Sequence, residues 1–193
     1  RMSAVDRTPL HVDYVLGHLN GGQADEVRVL KAWSEGVGIY GAEAKIGGFS
    51  GYLCELLAIK YGTFRKVLEA SLSWRRGEAI TLDHPGSRTF EEPLVVVDPV
   101  DPNRNVASAV RLEQMATFVH AAREYLRSPS ERFFFPGPLK PLPPTKLRAL
   151  AKKRGGELLA ISIRAPEVTE DILYPQLRKA HRAFQELFAR RDF

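Results

Sequence analysis

The sequence predicts an α+β protein: a helical domain with a small β insertion, followed by a truncated α/β domain. Three observations support this fold class. Helical patterns fill the first third of the chain, two short apolar strands follow them, and the last third is a single helix–strand–helix pattern. Because one helix–strand–helix unit cannot close a sheet, we expect the second domain to be incomplete. The predicted boundaries are 1–128 for the helical domain and 129–193 for the incomplete one.

Four helices are predicted in the helical domain from their end signals and apolar spacing. Thr8 and Pro9 form a good N-cap and first helical position. Apolar residues from Phe49 to Leu57 recur at the spacing of one buried stripe, and Gly62 is a typical stop signal. The predicted helices are 8–19, 24–35, a third that begins near 49 and ends at 62, and 63–74.

The β insertion is predicted from two short segments, 78–82 and 94–98, separated by a turn-rich loop. The second segment contains Leu94-Val95-Val96-Val97, which is β-branched and apolar like a buried strand. Prolines in the following segment, 98–103, predict a rigid loop rather than a strand or helix. The remaining predicted elements are a long helix over 112–126, a proline-rich junction over 128–144, a basic helix over 145–154, a strand over 158–164 and a helix over 174–190.

Positive charge is concentrated at one end of the chain. The net charge is +5 over 193 residues, and residues 140–193 hold twelve Lys or Arg against six Asp or Glu. A basic segment beside a nearly neutral one suggests a polyanionic partner, and nucleic acid is the first candidate. Solvated helix faces would give the same excess of positive charge.

Cys54 is the only cysteine, which excludes an intrachain disulfide and fits a reducing cytoplasm. No apolar run is long enough for a membrane span, and no signal peptide is recognisable.

The residue patterns of several common catalytic and metal-binding sites are absent from the sequence. The sequence contains no zinc-spaced Cys/His cluster, no P-loop and no Gly-x-Ser-x-Gly turn, and its five histidines are scattered. Asp98 and Asp101 suggest a metal-binding pair, but the prolines around them favour turn-forming and capping roles. No carboxylate pair in this sequence resembles the metal site of a phosphoryl-transfer enzyme. The residues of the chain alone therefore do not predict a complete enzyme.

A set of features in the helical domain instead favours anion binding. Lys31 lies on the second helix, Tyr40 follows it, and Gly47-Gly48-Phe49-Ser50-Gly51 opens the third helix, where free N–H groups favour a phosphate. Arg104 follows the proline-rich loop and could present a fixed guanidinium to a phosphate or a base edge. Each feature has a plain alternative: a surface lysine, a packing tyrosine, a turn, or an arginine that braces its loop through Asp98 or Asp101.

The order of several short segments resembles the archaeal-type (class I) CCA-adding tRNA nucleotidyltransferases along nearly the whole chain. These segments are Thr8-Pro9-Leu10-His11, Leu30-Lys31, Ile39-Tyr40-Gly41-Ala42-Glu43, Gly48-Phe49-Ser50-Gly51-Tyr52-Leu53-Cys54-Glu55-Leu56-Leu57, Val97-Asp98-Pro99-Val100-Asp101, Arg104-Asn105-Val106-Ala107 and Asp171-Ile172-Leu173-Tyr174-Pro175-Gln176-Leu177.

The resemblance implies addition of C, C and A to the tRNA 3′ end from CTP and ATP. It implies that residues 1–128 are the central domain and 129–193 the start of the body domain. A catalytic head, with its Gly-Ser motif and metal-binding carboxylates for Mg²⁺, is not visible, so the chain alone is expected to be inactive. The implied partners are tRNA, CTP and ATP, without a membrane, and a homodimer of the intact cytoplasmic protein is one assembly the family allows.

The resemblance also assigns site residues. It implies that His11, Lys31 and Tyr40 bind the incoming triphosphate and that Arg104 hydrogen-bonds the base. Lys179 stands where an arginine occurs in a relative, so it keeps the charge but loses the bidentate fork. The predicted RNA-binding residues are Lys152, Lys153, Arg154, Tyr174 and Lys179.

Three other interpretations stay open at this point. One is another RNA nucleotidyltransferase of the polymerase-β superfamily, such as a poly(A) polymerase or an oligoadenylate synthetase. Another is a free-standing, non-catalytic RNA-binding module. The last is a helical domain with an adventitious basic tail.

Overall fold

A computed structural model describes residues 4–86, 89–138, 140–155, 160–164 and 166–190 of the chain. The chain divides into two compact units, Arg1–Pro136 and Gly137–Phe193. The described residues are mainly helical, with one small sheet in the first unit. This confirms the predicted α+β class.

The first unit contains five α-helices and one 3₁₀ turn among its described residues. They are α1 (Ala4–His18), α2 (Gln23–Val37), α3 (Gly51–Tyr61), α4 (Phe64–Ser71), α5 (Leu112–Arg127) and the 3₁₀ turn Glu131–Phe133.

Side chains cap two of these helices as their sequences predict. Ser50 Oγ accepts a hydrogen bond from Leu53 N at the start of α3, and Thr63 Oγ1 accepts one from Lys66 N at the start of α4. The predicted start of the first helix was wrong, because α1 already includes Ala4 and therefore carries Pro9 inside it. A proline there lacks the N–H of one helical hydrogen bond, but the other bonds of the helix remain available.

The sheet has three strands in the order β1 (Glu78–Ile80), β2 (Leu94–Asp98) and β3 (Asp101–Asn105). β1 and β2 are parallel, while β2 and β3 are antiparallel, and every residue of β2 is buried. The predicted loop over 98–103 was therefore wrong in part, because Asp101 begins a strand. Pro102 is tolerated within β3 because β3 lies at the edge of the sheet, where a strand residue can lack its N–H.

Asn105 extends the hydrogen bonding of the sheet beyond β3. Its buried amide accepts from Val96 N and Ala107 N through Oδ1, both at 2.9 Å, and donates through Nδ2 to Leu94 O, also at 2.9 Å. The side chain thus hydrogen-bonds to β2 on one side and to Ala107, just after β3, on the other. This explains why an asparagine follows Arg104 and why the end of β3 is held firmly.

An aromatic cluster forms the centre of the helical core. Phe118 on α5 lies 5.1 Å from Trp33, 4.7 Å from Phe49 and 5.2 Å from Trp74, measured between ring centroids. These four rings are almost fully buried. Because they come from α2, α5 and the loops before α3 and after α4, their packing fixes the elements that carry Lys31 and Tyr40.

The second unit contains α6 (Pro144–Lys153) and α7 (Glu170–Ala189) among its described residues. The predicted strand was wrong for residues 160–164, which have no regular structure, and Leu158 and Leu159 lie outside the described residues. A strand needs a neighbouring strand for its backbone hydrogen bonds, and the described part of this unit offers none. No described helix combines the length and the apolar character that crossing a membrane requires.

Candidate nucleotide-binding site

Lys31 and Tyr40 converge on the first turn of α3. A methyl group placed on Gly51 would stand 3.1 Å from Tyr40 Oη and 3.5 Å from Lys31 Nζ. The first N–H groups of a helix have no partner within the helix and carry partial positive charge. A cation, a hydroxyl and a helix N-terminus therefore meet at one point, and together they suit a phosphate.

A tight backbone arrangement holds Tyr40 in place. Tyr40 and Phe49 form an isolated parallel bridge, in which Phe49 N donates to Ile39 O at 2.8 Å and Gly41 N donates to Phe49 O at 2.9 Å. A Cβ on Gly48 would lie 2.0 Å from Ile39 O, so this approach requires glycine. The predicted glycine-rich turn thus positions Tyr40 against the start of α3.

Lys31 is oriented by an acidic partner on α3. Its Nζ lies 2.6 Å from Glu55 Oε1, and both side chains are about three-quarters buried, with exposed fractions of 29% and 25%. The pair fixes the ammonium group near Gly51 and leaves other N–H donors of Lys31 for a ligand, because an ammonium group has three. Glu55 was not among the predicted site residues, although it stands in the segment Cys54-Glu55-Leu56 that carries the family resemblance.

A second cluster gathers around the carboxylate of Asp98, at the end of β2. Asp98 Oδ2 accepts hydrogen bonds from Arg104 Nη1 at 2.7 Å and from His11 Nε2 at 3.0 Å, while Oδ1 accepts from Tyr52 Oη at 3.3 Å. Asp98 has no exposed surface, whereas Arg104 keeps 32% of its side chain exposed. The bracing of Arg104 by Asp98, one of the alternatives left open by the sequence, is therefore present.

Tyr52 links the two clusters. Its ring stacks on His11, with 4.0 Å between centroids and 20° between planes, and it follows Gly51 in the first turn of α3. Burial raises the pKa of Tyr52 well above its usual value, and the negative charge and hydrogen bond of Asp98 raise it further. The hydroxyl consequently stays protonated near neutral pH and can donate to Asp98.

The predicted nucleotide-binding residues thus fall into two adjoining groups. Lys31 and Tyr40 face the start of α3, and His11 and Arg104 share Asp98. Besides Glu55, Asp98 and Tyr52 are residues of these clusters that were not among the predicted site residues. The signal for Asp98 was present but ambiguous, because an aspartate beside prolines also forms turns, and its Oδ1 does accept from Val100 N at 3.1 Å.

The Cys54 thiol, which lies near the site, carries no evident reactivity. Cys54 is fully buried on α3, and burial raises the pKa of its thiol to about 12, so the thiol is protonated and shielded from solvent.

The described residues contain no group of three or more His, Cys, Asp or Glu side chains placed to hold a metal ion. A Mg²⁺ site of the implied kind therefore has no ligand cluster in the described part of this chain.

The predicted RNA-binding residues all belong to the second unit. Lys152 and Lys153 form the last turn of α6, and Arg154 follows them. Lys179 and Tyr174 lie on α7, where Lys179 is exposed and Tyr174 half-buried. The four cationic side chains are exposed, as binding to a polyanion requires.

Comparison with known families identifies the class of protein to which the chain belongs. A family model described as tRNA nucleotidyltransferase, second domain, matches residues 25–135, and one described as CCA-adding enzyme, C-terminal domain, matches residues 154–193. The first match covers more than half of the chain, which therefore belongs to the tRNA nucleotidyltransferase family.

Within that family, similar proteins are archaeal CCA-adding enzymes. The CCA-adding enzyme of Methanosarcina barkeri is 46% identical over 99% of this chain, and that of Saccharolobus shibatae is 46% identical over 93%. The enzyme of Methanothermobacter thermautotrophicus is 47% identical over 92%. These findings confirm the predicted resemblance and do not favour the poly(A) polymerase or oligoadenylate synthetase alternatives. The chain spans 42%, 41% and 39% of the length of the three relatives, respectively.

Proposed function

We propose that this chain is the part of a CCA-adding enzyme that positions the incoming CTP or ATP, selects its base and grips the tRNA. The observation that carries the proposal is the convergence of Lys31 Nζ and Tyr40 Oη on the first turn of α3. In this proposal residues 1–128 handle the nucleotide and residues 129–193 begin the RNA-binding body. The protein acts in the cytoplasm.

The first cluster suits the triphosphate. A triphosphate carries several negative charges, and Lys31 supplies one positive charge while α3 supplies N–H donors and the positive end of its dipole. Tyr40 Oη adds a neutral donor on the same side. Because Glu55 already pairs with Lys31, the lysine is held in position before the ligand arrives, which reduces the entropy lost on binding.

The second cluster suits the base. One nitrogen of Arg104, Nη1, donates to Asp98, and the guanidinium has further N–H groups that can donate to acceptors on one edge of a base. Fixed donors favour bases with acceptors in the matching positions and disfavour the others. Arg104 therefore contributes to the choice of C and A over U and G.

The metal chemistry belongs to the part of the full-length enzyme that this chain does not cover. Mg²⁺ supplies charge stabilisation at the transferring phosphoryl group in nucleotidyl transfer. The described residues do not form its ligand cluster; their share is to hold the triphosphate, the base and the RNA.

A chimera tests the proposal, with this chain replacing the matching segment of the Methanosarcina barkeri CCA-adding enzyme. The substrates are tRNA lacking its CCA end, with CTP and ATP. The unmodified chimera should add C, C and A. Lys31→Met and Tyr40→Phe should each raise the KM for CTP and ATP by roughly tenfold, because each removes a triphosphate contact worth about 1–1.5 kcal/mol. Steady-state kinetics of nucleotide incorporation measures this.

Lys66→Met is the matched control, because Lys66 is an exposed lysine on α4. It should leave the KM unchanged. An unmodified chimera without CCA addition would contradict the proposed activity, while an unchanged KM in both site variants would contradict the proposed triphosphate site.

A further inference from the structure

Three separate elements meet at one buried carboxylate. Asp98 at the end of β2 has no exposed surface, and it receives His11 from α1, Tyr52 from α3 and Arg104 from β3. Together with Val100 N, these groups occupy both oxygens of the carboxylate. We propose that Asp98 is a positioning residue that orients Arg104 and His11 together toward the nucleotide and thereby sets base discrimination. This inference rests on the proposed function.

The hydrogen-bonding capacity of the Asp98 carboxylate supports this role. An ionised carboxylate offers about four lone-pair sites, and four donors use them here. When four donors share the two oxygens of one carboxylate, only one arrangement of the donor side chains keeps all four hydrogen bonds. Arg104 and His11 therefore cannot rotate independently of each other, since both bond to Oδ2.

The contact with Asp98 also leaves donor groups of Arg104 available to a ligand. Arg104 is bound to Asp98 through Nη1 alone, at 2.7 Å, and about a third of its side chain is exposed. A monodentate pair fixes the plane of the guanidinium but leaves other donors for a ligand. A partly exposed arginine on an edge strand without this anchor would sample many rotamers, and its donors would match several bases equally well.

Stability alone is a poor explanation for this cluster. Burying a carboxylate is costly, and a buried ion pair often stabilises a fold no better than apolar residues of similar size. The cluster costs desolvation at a place where the neighbouring strand residues Val96 and Val97 are apolar and buried. A specific orientation of the two partly exposed partners, His11 and Arg104, is what the buried charge provides.

The test uses the same chimera with Asp98→Asn. An amide keeps the size of the carboxylate but brings two N–H donors toward partners that also donate, so Arg104 and His11 are released. The ratio of kcat/KM for CTP over UTP should fall at least tenfold, mainly because CTP loses efficiency. The melting temperature is measured beside it.

Double variants separate positioning from stability. In an Arg104→Lys background, Asp98→Asn should change the CTP/UTP ratio less than threefold, because the residue that it orients has already lost its guanidinium. Asp101→Asn is the matched control. Asp101 is an aspartate three residues away that pairs with Arg7 at 3.6 Å rather than with Arg104, and the control should keep the wild-type ratio.

Equal losses for CTP and UTP in Asp98→Asn, or full additivity with Arg104→Lys, would overturn the inference while leaving the proposed function intact. A chimera that adds no nucleotide before any substitution would instead contradict the proposed function. If Asp98→Asn does not fold, Tyr52→Phe is the second test. It removes one donor to Asp98 but retains the ring stacked on His11, and an unchanged CTP/UTP ratio would overturn the inference.

Discussion

Among single residues, Gly51 matters to the proposed phosphate site, because it leaves the space beside Tyr40 and Lys31 free of a side chain. The glycine lies in the first turn of α3, where a side chain would enter the space between Tyr40 and Lys31. Its backbone has an ordinary conformation, since Gly51 is not among the positive-φ glycines. The absence of a side chain at this position is therefore explained by the proximity of the two polar groups and not by the geometry of the chain.

We predict that Gly51→Ala weakens nucleotide binding without destabilising the fold. The added methyl would lie 3.1 Å from Tyr40 Oη and would occupy the space in which a phosphate approaches the helix N-terminus. Alanine favours helices by up to about 1 kcal/mol relative to glycine, so the melting temperature should stay the same or rise. In the chimera, the KM for CTP and ATP should rise at least tenfold. A lower melting temperature with an unchanged KM would contradict this prediction.

At the scale of elements, the packing of α2 against the 3₁₀ turn shows how one glycine permits a close approach. A Cβ on Gly36 would stand 2.2 Å from Phe133 O and 2.6 Å from Phe134 O. Phe133 and Phe134 pack in turn against Tyr125 on α5, with ring centroids 5.5 Å and 5.9 Å away. The close approach at Gly36 therefore lets the aromatic end of the first unit cover α2 and α5 at once.

We predict that Gly36→Ala destabilises the first unit by about 1–3 kcal/mol, the usual cost of overpacking. Gly17→Ala on α1 is the matched control, because nothing lies within 4 Å of the added methyl. The control should be neutral or slightly stabilising through helix propensity. Thermal unfolding followed by tryptophan fluorescence measures both, since Trp33 and Trp74 are the two tryptophans and both lie in the core of this unit. Equal melting temperatures would contradict the proposed packing.

The fold could be predicted wherever local signals and tertiary packing agree. α2, α3 and β2 match their predicted ranges within two residues. β3 could not be predicted, because Pro102 argues against a strand locally and only its place at the sheet edge makes it compatible. The strand predicted over 158–164 was wrong for residues 160–164, for the opposite reason. Its apolar pattern favours a strand, but residues 160–164 have no described strand to pair with.

The sequence supplied four candidate residues for the site but not the contacts that group them. Lys31, Tyr40, His11 and Arg104 were identified through the family resemblance and through their anion-binding chemistry. Much of their grouping depends on pairs that lie far apart in the chain, 24 positions for Lys31 with Glu55 and 87 for His11 with Asp98. No local pattern reports such pairs, so Asp98 was interpreted as a turn residue although it also joins three elements.

Across the whole chain, the proposed functions divide in the same way as the charge. The residues proposed to bind the nucleotide lie in the first unit, whereas residues 140–193 carry twelve of the 28 Lys and Arg residues and only six of the 23 Asp and Glu residues. Electrostatic attraction to an RNA backbone requires many exposed cations and little fixed geometry. Nucleotide selection requires the reverse, which the buried cluster around Asp98 provides.

We predict that tRNA affinity of the 193-residue chain depends on the basic second unit. Charge reversal at four exposed cations should weaken binding of tRNA lacking its CCA end at least tenfold at low salt, because a phosphate that the protein no longer neutralises keeps its bound counterions. The four substitutions are Lys152→Glu, Lys153→Glu, Arg154→Glu and Lys179→Glu. Binding is measured by fluorescence anisotropy over a series of salt concentrations, and the slope of log affinity against log salt should become shallower by about 0.7–0.9 for each such phosphate.

A second variant separates this specific surface from net charge. It carries the same number of reversals on exposed cations of the first unit, which are Arg28, Lys66, Arg76 and Arg123. Both variants change the net charge of the chain equally, so long-range attraction falls by the same amount in each. Binding that weakens only in the second-unit variant, with a shallower salt slope, would place the RNA-binding residues on α7 and at the end of α6. Equal weakening in the two variants would mean that tRNA responds to overall charge, and the assignment of Lys152, Lys153, Arg154 and Lys179 would then be wrong.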